Sequence, residues 1–208
     1  MKKFLAITLT VLTFAAFAGC GKNDDVAVSG DSVTLPSTVA STTKEAATQA
    51  TKASSSAPTI SAPLSSSEGT VVSGIYCSLT IPSTWDKGTS SYSQVDIIIA
   101  EKQVSNGFNT NINVVVESTS LGADAYLAAA KNSLSNAGYT VGATGSCTIN
   151  NTYCTTLEYT ASANGILING TQYYYATGSK VYVITYSGTT PVSQNAVAKS
   201  IIASFKPL

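Results

Sequence analysis

The chain has no histidine and no arginine; its eleven basic residues are all lysine. These absences exclude Ser-His-Asp and Cys-His nucleophilic centres. They also exclude imidazole metal ligands and bidentate guanidinium clamps on phosphate or carboxylate. Charge of either sign is scarce. Only 11% of the 208 residues are charged, and eleven lysines balance eleven acids to a formal net charge of zero. Binding nucleic acid through its phosphates needs clustered cations, so no nucleic-acid partner is expected. A Gly-rich phosphate loop is missing too: Gly142-Ala143-Thr144-Gly145 lies in strand-like sequence, with no helix and no lysine after it. From residue types alone, no catalytic residue, metal ligand set or cofactor is assigned.

What is present begins at the N-terminus. Lys2 and Lys3 precede an apolar run over residues 4–17, which ends in Phe17-Ala18-Gly19-Cys20. About 14 residues are too few for a permanent membrane span, which takes roughly 20. A positive start, a short apolar core, two small residues and then cysteine together resemble a bacterial lipoprotein signal, with Phe17 in the hydrophobic position of the lipobox. The resemblance implies a signal peptide over residues 1–19 and acyl lipid, including palmitate, on Cys20. It also implies an extracytoplasmic protein whose membrane partner is reached through that anchor. Two or more acyl chains hold where one binds reversibly.

Residues 20–70 form a second zone. Ser, Thr and Ala dominate, Pro36, Pro58 and Pro63 interrupt it, and aromatic residues are absent. Such a composition buries too little apolar surface to offset ordering entropy, which predicts a disordered linker. A coil of about 50 residues has a root-mean-square reach of roughly 40 Å.

Residues 71–208 have the length of one ordinary domain. Six lysines (87, 102, 131, 180, 199 and 206) face six acids there: Asp86, Asp96, Glu101, Glu117, Asp124 and Glu158. Alternating or β-branched runs predict strands at 76–81, 95–100, 112–117, 139–149, 152–162, 166–177 and 180–187. Apolar residues at helical spacing predict a helix over 123–137, from Leu121, Ala125, Leu127, Ala128, Ala130 and Leu134, with Gly138 as its C′ residue. A second helix is predicted over 192–205, with Val197, Ile201, Ile202 and Phe205 as its apolar face and Pro191 at its start. Asn150-Asn151 suits a two-residue hairpin turn, and Gly178 marks the next-to-last reversal. Consecutive strands without intervening helices pair antiparallel. The expected fold class is therefore α+β, an antiparallel sheet of about six or seven strands flanked by helices.

The order of these landmarks resembles the PsbP-like (Mog1/PsbP) superfamily. They are Ile81-Pro82-Ser83-Thr84-Trp85, then Asn111-Ile112-Asn113-Val114-Val115-Val116-Glu117, then a helix containing Tyr126. Ile149-Asn150-Asn151, Leu157-Glu158-Tyr159, Val181-Tyr182-Val183-Ile184-Thr185-Tyr186 and a last helix ending in Ser204-Phe205-Lys206 complete the order. The turn reads Asn150-Asn151 where the family often has Asn-Gly. The resemblance implies an α/β/α sandwich, and a binding or assembly role rather than a reaction.

Three cysteines remain once Cys20 is set aside. The turn at 150–151 pairs Cys147 with Cys154 across two strands, within disulfide reach, in a compartment that permits bridges. Two packed thiols are the alternative, and Cys77 is read as core. Trp85, Tyr173, Tyr175, Tyr182 and Tyr186 could form an exposed face that stacks on a sugar or peptide; packing beneath a helix is the alternative. Asn150-Asn151-Thr152 and Asn169-Gly170-Thr171 match glycosylation acceptors, which in a bacterium are read as polar turns. The functional expectation is a lipid-anchored binding or assembly module, partnered by an envelope protein or glycan and not an enzyme. The alternatives are a carboxylate-based envelope hydrolase, which needs two convergent acids, and a small-ligand or sugar carrier.

Overall fold

The computed structural model describes residues 63–64, 68–119, 121 and 123–208. The expected signal, Cys20 and nearly all of the expected linker lie outside the described residues. Ten strands run β1 (Thr70–Ser73), β2 (Cys77–Ile81), β3 (Trp85–Lys87), β4 (Val95–Ser105), β5 (Phe108–Ser118), β6 (Thr140–Ile149), β7 (Thr152–Ala163), β8 (Ile166–Thr177), β9 (Lys180–Gly188) and β10 (Lys206–Pro207). Helix α1 (Ala123–Asn136) separates β5 from β6, and α2 (Ala196–Ala203) follows β9. Seven strands form one antiparallel sheet in the order β3-β4-β5-β9-β8-β7-β6, and β1, β2 and β10 form a second, small sheet. The fold is α+β, as expected.

Two-residue turns set the registers. Asn106-Gly107, Asn150-Asn151 and Asn164-Gly165 all have positive φ at both positions, the twist that matches right-handed strands. Asn150 is also tied down, its Nδ2 donating to the carbonyl of Phe205. Helix α1 ends at Gly138, with φ +84°. Tyr139 N–H donates to the Leu134 carbonyl and Gly138 N–H to that of Ser135, both at 3.0 Å. Those two bonds are the Schellman pattern, whose C′ position favours glycine.

The centre of the sheet is covered on both faces. On one face α1 inserts Tyr126, Ala130 and Leu134 against Val115, Leu157, Tyr159, Tyr174 and Val183. Ala125 and Ala128, expected in its apolar face, are exposed; the buried stripe is 126, 130 and 134, one residue per turn. On the other face α2 and β2 cover a core that includes Leu79, Ile112, Ile184, Ile201 and Phe205. The helix expected over 192–205 is in fact two pieces. A 3-10 turn over Val192–Gln194 is followed by Asn195, whose extended backbone (φ −105°, ψ 92°) breaks the run. The Asn195 side chain accepts from Ala198 N–H at 2.9 Å and starts α2, an N-cap worth about 1 kcal/mol. The break turns Val197 outward and Ala198 inward. The ordered contacts also begin before the expected boundary at 71. Leu64 N–H donates to the Ser200 carbonyl at 3.3 Å, and Leu64 packs against the core beneath α2.

Candidate functional site

Strand alternation places Trp85, Tyr173, Tyr175, Tyr182 and Tyr186 on one face, as the sequence predicts. That face is not open. None of the five is more than 5% exposed, and all belong to the core that α2 covers. Tyr175, Tyr182 and Phe205 meet edge to face, with centroids 5.0 to 6.1 Å apart. The rings act as helix-on-sheet packing, and their chemistry as a stacking platform is spent inside the protein.

Cys147 and Cys154 are direct partners across β6 and β7, both buried and both thiols. Cys154 is pushed up by its hydrogen bond to Cys147 and by burial. Cys77 is fully buried. Its Sγ donates to Asp96 Oδ2 at 3.1 Å, and burial, followed by that bond and the carboxylate's charge, pushes the thiol up. It is an unreactive core thiol.

The acids are dispersed. Asp96 serves the turn between β1 and β2, accepting backbone N–H groups from Ile75, Tyr76 and Cys77 at 2.7 to 3.0 Å. Asp86 pairs with Lys102 at 3.4 Å on the surface. Glu117 accepts from Tyr126 Oη at 2.8 Å beneath α1. Glu101 stands opposite Trp85 across β3 and β4. Asp124 sits in the first turn of α1. Among the described residues, no three of His, Cys, Asp and Glu converge as a metal site.

Glu158 is different. Leu157 and Tyr159 belong to the core beneath α1, so alternation sends Glu158 to the face that α2 covers elsewhere. Opposite it on β8 stands Thr171, and the next pair on that face is Thr160 with Asn169. These four side chains form the floor of a hollow of about 240 Å³, with Gly142 and Thr140 on one side and Pro191 on the other. The wall at Pro191 is pinned. Asn169 Nδ2 donates to the Thr189 carbonyl at 3.1 Å, and Tyr186 Oη donates to that of Thr190 at 2.9 Å. Tyr173 follows Thr171 on the same face. Burial pushes its phenol up, with Cys147 and the nearby Glu158 carboxylate adding to the effect. Gly170, also in the lining, has no room for a side chain, because a Cβ there would overlap the Tyr159 ring.

The hollow therefore presents one carboxylate, three threonine hydroxyls and an amide. Among the described residues its lining holds no second acid and no lysine. It can accept and donate hydrogen bonds, but two carboxylates flanking a bond, as glycoside hydrolysis requires, do not meet there. The sequence alone does not reveal this site, which depends on the β7–β8 register and the returning 189–191 loop.

No family model matches the chain, and no curated protein matches it. The solved structures it is similar to include one from Bacteroides thetaiotaomicron, at 16% identity and a TM-score of 0.47 over 68% of this chain. The chain spans about half, 49%, of that protein's length. A cyanobacterial PsbP from Synechocystis is similar at 11% identity and a TM-score of 0.48, over 64% of this chain and 86% of that one. LpqN of Mycobacterium tuberculosis, described as involved in cell envelope biogenesis, is similar at 16% identity and a TM-score of 0.48, over 64% and 84%.

Proposed function

We propose that this chain is a non-catalytic binding module held outside the cytoplasm by lipid on Cys20, and that the hollow around Glu158 takes its ligand. One observation carries the reading. The hollow is built from side chains that bind, with a single carboxylate among neutral hydroxyls and an amide, and its wall is fixed by two hydrogen bonds. Concave sites with a few placed polar groups are the usual places for small ligands. Elsewhere Asp96 serves a turn, Asp86 an ion pair and Glu117 the docking of α1, and the chain has no histidine or arginine to build a nucleophile–base pair. The extracytoplasmic placement rests on the lipobox pattern at Cys20.

The test is a hydrogen-exchange footprint of the full chain, in membranes of the expressing bacterium, with and without added cell-envelope extract. Protection is expected at 158–160, at 169–171 and in the 189–191 loop. Protection confined to other surfaces, or none, refutes the hollow as the ligand site.

A further inference from the structure

We propose that the ligand of the Glu158 hollow is a neutral sugar ring, taken as a single residue or as the end of a glycan chain. This rests on the hollow being the binding site. Four features of the hollow point to that class.

Its charge excludes anions. Glu158 is the one ionised group among the described lining residues and no cation accompanies it, so phosphate, sulfate and carboxylate ligands meet repulsion with nothing to offset it. Its hydrogen-bonding groups match a polyol. An ionised carboxylate accepts from two hydroxyls at once, and each threonine hydroxyl both donates and accepts. A sugar offers the same mixture in return. Asn169 donates through Nδ2 to the Thr189 carbonyl, which leaves its amide oxygen as an acceptor. An apolar edge is present as well. Pro191 borders the polar floor, and its ring suits the C–H face of a pyranose. Size completes the match: about 240 Å³ lies below the roughly 300–1,000 Å³ of sites for drug-sized ligands, which limits the occupant to about one ring. A divalent cation fits poorly, because one carboxylate supplies few of the six to eight oxygens and little of the charge that calcium takes.

The experiment is an NMR titration of the isotope-labelled full chain in a zwitterionic detergent that carries no sugar headgroup. The probes are glucose, galactose and N-acetylglucosamine, with calcium chloride and a lysine-containing tripeptide as separate arms. At least one sugar is expected to shift the amides of 158–160, 140–142 and 169–171 saturably, with a Kd of about 1 mM, the level of a single small ring. Glu158→Gln, a same-shape change at an exposed position, is expected to weaken that sugar about tenfold, as loss of hydrogen bonds to a charged group does. Its spectrum should otherwise overlay that of the native chain. The proposal is overturned if no sugar shifts these amides, if Glu158→Gln binds equally well, or if only calcium or the tripeptide binds. Silence from every sugar alongside a positive envelope footprint at the same residues would remove the sugar and leave the binding site standing.

Discussion

Cys147 and Cys154 face one another two pairs in from the Asn150-Asn151 turn. A two-residue turn makes Ile149 and Thr152 a hydrogen-bonded pair. Alternation makes Thr148 and Tyr153 a non-bonded pair and returns the cysteines to a bonded one, with Cα atoms about 5.5 Å apart. That separation lies inside the disulfide range. Exported to an oxidising compartment, the two thiols are expected to bridge, and the hairpin peptide should lose two hydrogens in non-reducing mass spectrometry. Closing so short a loop stabilises by at most about 2.5 kcal/mol in the chain-entropy account, visible as a higher denaturant midpoint before reduction. Alkylation of both cysteines in unfolded, unreduced protein would refute the bridge. The pairing was legible in sequence because a turn and a period of two suffice to set it. The fate of Tyr173, Tyr175, Tyr182 and Tyr186 was not. Alternation puts them on a common face, but whether that face is wet depends on where a helix more than ten residues downstream returns. Glu158 shows the converse: its direction is local, while its hollow needs Asn169 and Pro191 brought from other elements.

Among the elements, α1 carries a titrating tether. Tyr126, the first residue of its buried stripe, donates to Glu117 on β5. Burial raises the Glu117 carboxyl above its ordinary 4.5, and the bond from Tyr126 lowers it by less. The folded state therefore favours the neutral acid. Its stabilising contribution is fully present below the unfolded value and is lost as pH rises through the folded one. Because the group is only half buried, solvent screening keeps the effect small. Glu117→Gln retains an acceptor for Tyr126 and removes the proton. As pH rises from below the ordinary 4.5 through the raised folded value, native stability should fall relative to the variant, measured as urea midpoints; parallel curves would refute the tether. Strong periodicity made the long strands and α1 legible. β4 and β5 run further than predicted, because the far end of β4, residues 102–105, is exposed on both faces and shows no alternation. Asn106-Gly107 was the available signal there, a dipeptide that favours positive φ at both turn positions. β1, β3 and β10, of four, three and two residues, are too short to show a period at all. Asn195 was legible as a cap in principle, since asparagine competes for backbone N–H groups and starts helices more readily than it continues them.

For the whole molecule, the balance of charge bears on how it is held. Eleven lysines against eleven acids leave no net attraction to an anionic lipid surface, which draws in proteins through clustered basic residues. Among the described residues, no helix is long and apolar enough to cross a membrane. The proposed acyl lipid on Cys20 would hold the chain at a membrane, at about 0.8 kcal/mol for each buried methylene. Hydrophobic anchoring of this kind is indifferent to salt, whereas electrostatic adsorption is screened within about 10 Å at 0.1 M. Expressed in a bacterium fed labelled palmitate, the native chain should take up label. It should stay in the membrane pellet through high-salt washing, leave it in detergent, and show a mature N-terminus at Cys20. Cys20→Ala should take up no label and keep its apolar segment uncut, because the lipobox cysteine is both the lipid acceptor and the first mature residue. An unlabelled native chain, or a mature N-terminus at any other residue, would refute the anchor. The Glu158 hollow would keep its chemistry in that case, but the glycans and proteins within its reach would be those of another compartment.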